Sequence, residues 1–185
     1  TTKCLDLPGG STGPGNQLQI WDCSDTDNQK WNINWQSGAD EPQKAFIRPN
    51  TTPHLVGQKW FTITYVKDSS KCIGVKDGND KDTTPVAIAN CNTGDVSQMW
   101  VYNEQSQQIQ YRGDLYMCID LIAGKTGNGN KIDLFHCSKT PNSKWKLGAP
   151  VPAQPTPAPP PPTPPPQGSF TGAIMYMGDG GASKK

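Results

Sequence analysis

Two carboxylate–aromatic pairs are the residues best equipped for chemistry in this chain: Asp6 with Trp21, and Asp120 with Phe135. In each pair the aspartate lies two positions after a cysteine, and the aromatic lies two positions before the next one (Cys4 and Cys23; Cys118 and Cys137). The stretch from Leu18 to Cys23 alternates as a strand does. Leu18 and Ile20 share one face, Gln19 and Trp21 the other. Burying the aliphatic pair leaves the tryptophan on the polar face. An outward carboxylate accepts two neighbouring hydroxyl hydrogens through charge-assisted bonds, and an outward aromatic face covers a flat patch of C–H groups. A pyranose ring presents both.

The elements that must position these residues are marked by cysteines at 4, 23, 72, 91, 118 and 137, three pairs each 19 residues apart. Metal sites favour closer cysteine spacing with nearby histidines, and this chain has only His54 and His136. Three equal spacings fit three equivalent disulfides: Cys4–Cys23, Cys72–Cys91 and Cys118–Cys137. Each closes a loop worth roughly 3 kcal/mol. Such a framework implies an oxidising, extracellular setting. Asn50-Thr51-Thr52 is an N-glycosylation sequon that agrees with it.

Equal spacing also signals a repeat. Residues 4–31 align with 118–145 without a gap, and 14 of 28 positions are identical, enough to mark one unit used twice. The two share C-x-D-L, T-G-x-G-N (12–16 and 126–130) and a closing N-x-K-W. Residues 72–100 keep the cysteine spacing, the apolar alternation and the closing Trp100. The inward pairs are Leu18 and Ile20, Val86 and Ile88, and Ile132 and Leu134, the expected core. The outward pairs differ: Gln19 and Trp21, Ala87 and Ala89, Asp133 and Phe135. The middle copy also has Gly74 where the others have aspartate. Aspartate and aromatic thus come and go together, which points to a shared task rather than a demand of the fold.

On these motifs the chain resembles the ricin B-chain type (R-type) lectin domain. The likeness rests on the C-[LI]-x-[LV] strands, the alternating strands that end in cysteine, and the closing motifs Gln29-Lys30-Trp31, Gln98-Met99-Trp100 and Ser143-Lys144-Trp145. It covers residues 3–147. The resemblance implies an all-β fold, a β-trefoil of three disulfide-stapled repeats, here followed by an extended polyproline-rich C-terminal tail. It also implies carbohydrate binding without metal or cofactor. Carried over position by position, the first site is Asp6, Gln19, Trp21, Asn28 and Gln29. The third is Asp120, Asp133, Phe135 and Asn142, with Phe in place of the usual Trp or Tyr and Ser143 in place of Gln. The second site is expected to be silent. Shallow sites of this kind bind at about millimolar strength and gain by avidity on dense glycan surfaces.

Other functions lack support. The net charge of +1, with 17 basic and 16 acidic residues interspersed, builds no basic face for nucleic acid. No apolar run is long enough for a membrane span, and no leader is visible, so secretion implies one already removed. Asp77-Gly78-Asn79-Asp80-Lys81-Asp82 carries several oxygen ligands but lacks the EF-hand's closing glutamate, and reads as a solvated turn. Catalysis is not expected. Glu41 and Glu104, the only glutamates, lie outside the repeat motifs, and no nucleophile–base pair can be assembled. His136 falls on the inward side of its strand, where packing or a backbone hydrogen bond is its expected role.

The organisation that follows is a lectin domain over 1–148, with repeats at about 1–34, 61–103 and 109–147 and an insertion at about 34–60 that holds Trp35, Phe46 and the sequon. A Pro-rich linker spans 149–167. From Pro150 to Gln167, 11 of 18 residues are proline, which as polyproline II would reach about 55 Å. Residues 168–185 read as a disordered tail, a docking peptide or the start of a truncated domain, with an apolar cluster at Phe170 and Ile174 to Met177. The strand that should precede Cys4 has no counterpart among the three residues before it. The expected function is an extracellular lectin module for galactose- or GalNAc-type glycans. The alternative is a structural subunit of a matrix, wall or appendage, with a protein partner bound through the Pro-rich tail.

Overall fold

The computed structural model describes residues 2–36, 59–150 and 169–177; at 149, 150 and 169–177 it describes the backbone only. Asn50, Phe46 and most of the expected insertion and linker lie outside the described residues.

Twelve strands account for nearly all of the regular structure described. They are β1 (Lys3–Asp6), β2 (Gln19–Asp22), β3 (Trp31–Gln36), β4 (Trp60–Tyr65), β5 (Asp68–Val75) and β6 (Thr84–Asn90). The rest are β7 (Trp100–Asn103), β8 (Gln108–Tyr111), β9 (Asp114–Leu121), β10 (Ile132–His136), β11 (Trp145–Pro150) and β12 (Ser169–Met177). Three hairpins repeat: β1 with β2, β5 with β6, and β9 with β10, all antiparallel. The disulfides join Cys4 to Cys23, Cys72 to Cys91 and Cys118 to Cys137, with Cα separations of 5.0, 4.9 and 5.0 Å. The equal spacing therefore reflects three like staples across three like hairpins.

Beneath the hairpins a ring of strands closes. β12 pairs with β3, β3 with β4, β4 with β7 and β7 with β8. β11 lies along the other side of β12, and the Trp145 backbone N–H donates to Gln107 O at 2.7 Å, beside β8. This is a β-trefoil: six ring strands and three capping hairpins around one core. The expected inward residues Leu18, Ile20, Val86, Ile88, Ile132 and Leu134 are all fully buried there. So are Trp31, Trp100 and Trp145. Each closing tryptophan donates its indole N–H to the backbone of its own repeat's hairpin: Leu5 O (3.2 Å), Ile73 O (3.2 Å) and Ile119 O (2.9 Å). A buried indole needs such a partner, so the closing motif ties the end of each repeat to its beginning.

The strand missing before Cys4 is supplied from the other end of the chain. β12 pairs Tyr176 with Cys4, as β4 pairs Thr64 with Cys72 and β8 pairs Gln110 with Cys118. It also pairs Met177 with Trp145, as Tyr65 pairs with Trp31 and Tyr111 with Trp100. By register Met175 takes the place of Ile63 and Ile109, both fully buried. Residues 169–177 are thus the sixth ring strand.

Candidate functional site

Each hairpin presents its outer face to a short helical turn that precedes the closing tryptophan: Asp27–Gln29, Val96–Gln98 and Pro141–Ser143. In the first repeat, Asp6 and Gln19 are direct cross-strand partners, and Trp21 lies opposite Cys4. Gln19 donates to Asp6 Oδ1 at 2.8 Å. From the helical turn, Asn28 donates to Asp6 Oδ2 at 2.6 Å and Gln29 to the same oxygen at 3.2 Å. The five residues expected at the first site are therefore brought together. Asp27 anchors the turn through Lys67 at 2.8 Å, and that bond above all holds its carboxyl below the usual carboxylate range.

The outer face differs from its expected form in one respect. Asp6, Gln19, Asp120 and Asp133 are buried rather than solvent-facing; the exposed rings are those of Trp21 (44%), Phe135 (40%) and, further along β9, Tyr116 (49%). The helical turns cause this, because they fold over the hairpins and enclose the carboxylates in the recess between hairpin and turn, with the aromatic rings exposed beside it. A carboxylate so placed is preorganised, since its geometry is set by amide donors before any ligand arrives.

Gln29 also has a second task. Its amide donates to Asp22 O (3.1 Å) and accepts from Ser24 N–H (2.7 Å). Gln98 does the same in the middle repeat, donating to Asn90 O (2.8 Å) and accepting from Asn92 N–H (3.0 Å). The middle repeat lacks the aspartate and the aromatic, so this pair of bonds belongs to the fold. In the third repeat Ser143 is too short for it. Gln108 of β8 reaches in instead, donating to Ser138 O (2.7 Å) and Ser143 Oγ (2.9 Å).

In the middle repeat an ideal Cβ on Gly74 would stand 3.1 Å from Gln98 Cγ and 3.3 Å from Ser97 O. The turn has settled into the space where the other repeats hold an aspartate. A depression of about 500 Å³ remains there, lined by Pro14, Gly15, Gly74, Ala87 and Ala89 among others, with no aromatic ring.

In the third repeat Asp120 and Asp133 face each other across β9 and β10, and Phe135 lies opposite Cys118. Asn142 donates to Asp120. Burial raises Asp120 to about 6, with the Asn142 bond partly opposing it. Burial, reinforced by the charge of Asp120, raises Asp133 to about 7. Asp133 Oδ1 is buried without a hydrogen-bond partner.

Each site also draws on the neighbouring repeat, a contribution that no single repeat's sequence displays. The loop 127–131 of the third repeat borders Trp21: an ideal Cβ on Gly129 would lie 3.7 Å from the indole. Asn128 accepts from Asp22 N–H and donates to Asp22 Oδ2, both at 2.9 Å, and Lys131 donates to Gln19 Oε1 at 3.2 Å. At the third site the loop comes from the second repeat. Asp82 accepts from His136 N–H (2.9 Å) and pairs with His136 Nδ1 at 2.6 Å. His136 is thus exposed, not packed inward, because strand alternation lapses at the strand's last residue. The shared T-G-x-G-N motif was the available signal for the loop at the first site; the loop that carries Asp82 lacks it. Among the described residues no cluster of three or more His, Cys, Asp or Glu has metal-holding geometry.

Comparison with known proteins agrees with this architecture. The family model of the ricin-type β-trefoil lectin domain matches residues 59–150, and that of ricin-type β-trefoil lectin domain-like sequences matches residues 1–59. Among solved structures, the fold is similar to ThreeFoil, a designed three-fold symmetric protein (TM-score 0.60, 19% identity, covering 78% of this chain and 89% of that one). It is also similar to the Rhizoctonia solani agglutinin (TM-score 0.57, 20% identity, 77% and 83% covered). The chain belongs to the ricin-type β-trefoil lectins, a class of carbohydrate-binding modules. No helix among the described residues is long and apolar enough to cross a membrane.

Proposed function

We propose that this chain is an extracellular lectin module that binds galactose- or GalNAc-type glycans at two recesses, in the first and third repeats, with the middle repeat silent. The observation that carries the reading is the Asp6 cluster. A buried carboxylate is held by Gln19, Asn28 and Gln29 on the hairpin face that carries the exposed Trp21 ring. Three disulfides support the extracellular setting. The roles are then distinct. Trp21 and Phe135 stack on the apolar face of the sugar, Asp6 and Asp120 accept from adjacent hydroxyls, and Asn28 and Asn142 complete the rim. Gln29 positions Asp6 and holds the turn. Two weak sites on one rigid body gain strength on a dense glycan surface.

The test is a glycan array with EDTA present throughout, comparing the intact chain with the Trp21→Ala, Phe135→Ala double variant. Binding to galactose-type glycans that the variant loses is the expected result. Binding that survives both substitutions would move the function elsewhere on the molecule.

A further inference from the structure

The two recesses are built alike but charged differently, and the difference is traceable position by position. At the first site Asp6 faces a neutral Gln19 across the hairpin, and Lys131 of the neighbouring loop lies against Gln19. One carboxylate is matched by one ammonium. At the third site Asp120 faces a second carboxyl, Asp133. The residue opposite Asp133 in the adjoining repeat, where Lys131 stands opposite Gln19, is Pro85. The recess has gained an acid and lost a cation together.

The groups around the acid pair do not balance it. β9 contributes Asp120 itself. β10 contributes His136, which is taken by Asp82, and Lys131 at its foot, whose ammonium points away to Gln19. The turn before β6 adds a third acid, Asp82, whose charge acts on Asp133 in the same direction as that of Asp120. The helical turn 141–143 supplies only the Asn142 amide, to Asp120. Asp133 is 2% exposed; its carboxyl has a bond from its own backbone N–H, and Oδ1 is left buried without a partner. A buried carboxyl oxygen with no partner is a rare and costly arrangement. The exposed Phe135 ring stands on the same strand face, two residues on, and an aromatic face attracts a cation as well as a sugar's C–H groups.

Resting on the reading of this recess as a sugar site, we propose that the third site takes a cationic amino sugar, a pyranose whose ring amine is not acetylated. Its ammonium sits between Asp120 and Asp133 and supplies the donor that Asp133 Oδ1 lacks, while the ring lies on Phe135. The first site, already neutral, takes an uncharged sugar. The protein thus reads two sugar classes on one body. Burial raises both carboxyls, so the empty recess retains a proton near neutral pH that the ammonium displaces. Amine binding therefore strengthens as pH rises from about 5.5 to about 7.5, whereas binding of a neutral sugar does not.

The experiment uses the full chain carrying Trp21→Ala, which leaves the third site alone, titrated by calorimetry with galactosamine, galactose, N-acetylgalactosamine and ethanolamine at pH 5.5 and 7.5. The expected result is at least tenfold tighter binding of galactosamine than of the other three at pH 7.5. Asp133→Gln, which copies Gln19 of the first site, should abolish that preference. Phe135→Ala, a change at an exposed position that leaves folding intact, should weaken all the sugars. Equal affinity for galactose and galactosamine would overturn the proposal and leave the lectin reading standing. Equal affinity for ethanolamine and galactosamine would also overturn it, by showing an amine site without sugar recognition. No binding by the Trp21→Ala chain, while the unmodified chain binds galactose, would overturn it and confine the lectin to the first repeat. No binding by either chain would remove both readings.

Discussion

Tyr176 stands opposite Cys4 in the register that Thr64 keeps with Cys72. A residue from the far end of the chain therefore occupies the place of a strand that, in the other repeats, immediately precedes the first cysteine. Backbone pairing explains why. Without β12, the edges of β1, β3 and β11 would face an open slot with unpaired N–H and C=O groups.

Removing residues 168–185 is expected to lower the melting temperature sharply. Losing several strand hydrogen bonds at about 1 kcal/mol each, in a domain of this size, corresponds to a fall of roughly 10 °C or more. Differential scanning calorimetry of the truncated and full chains measures it. An unchanged Tm would mean that β12 does not hold the ring closed.

Much of this architecture was legible in the sequence because the chain carries its own controls. The inward pairs from Leu18 to Leu134 follow from a period of two, and the cysteine spacing repeats three times. The contrast between Trp21 and Ala89 shows that the fold does not require an aromatic there, which one copy could not show. What was not legible has a common cause: it depends on contacts between segments distant in the chain. The position of β12 has no local signal beyond alternation at Ala173, Met175 and Met177, which a tail can also show. The burial of Asp6 and Asp133 depends on a helical turn folding over the hairpin. Lys131, Asn128 and Asp82 reach sites that belong to other repeats, so a repeat-by-repeat reading passes over them.

Trp21→Ala and Asp6→Ala should separate binding from stability at the first site. Trp21 is exposed, so its loss should leave Tm within about 2 °C, since surface changes usually stay within ±0.5 kcal/mol. Sugar affinity at that site should fall at least tenfold, about 1.4 kcal/mol. Asp6→Ala should lower both, because the buried Gln19 amide would lose its acceptor, at about 1–3 kcal/mol, whereas Gln29 keeps Asp22 O and the half-buried Asn28 can turn to water. Thermal melts alongside titration with galactose read the two effects. Equal Tm losses in the two variants would refute this division of labour.

Restoring the missing aspartate in the middle repeat should not restore a site. Gly74→Asp places a Cβ against Gln98 Cγ and the Ser97 carbonyl, so the turn must move. The expected cost is about 1–3 kcal/mol of stability, as for other overpacking changes. Binding stoichiometry should stay at two sites per chain, since Ala89 offers no ring. A third site appearing on titration would show that the turn yields more readily than its packing indicates.

The acid pair of the third repeat should leave a mark on the pH dependence of stability, with a sign opposite to that of a salt-bridged carboxylate. Asp120 and Asp133 titrate at about 6 and about 7 in the folded chain, against roughly 3.9 when unfolded. Between those values the folded state binds more protons than the unfolded state, so stability declines as pH rises from about 4 to about 7 and levels off above. Asp27 works the other way. Its carboxyl is held low chiefly by Lys67, so its contribution is present above pH 4 and is lost as pH falls further into acid. The two effects together place the maximum of stability on the acid side of neutrality. Asp133→Asn removes the group that titrates highest and relieves Asp120 of its like-charged neighbour. The decline between pH 5 and pH 7.5 should then flatten, while the acid limb remains, set by Asp27 and by Asp68, whose carboxyl the Ser70 hydroxyl holds low. Denaturant unfolding at a series of pH values measures both limbs. A decline that persists unchanged in Asp133→Asn would assign it to groups other than this pair.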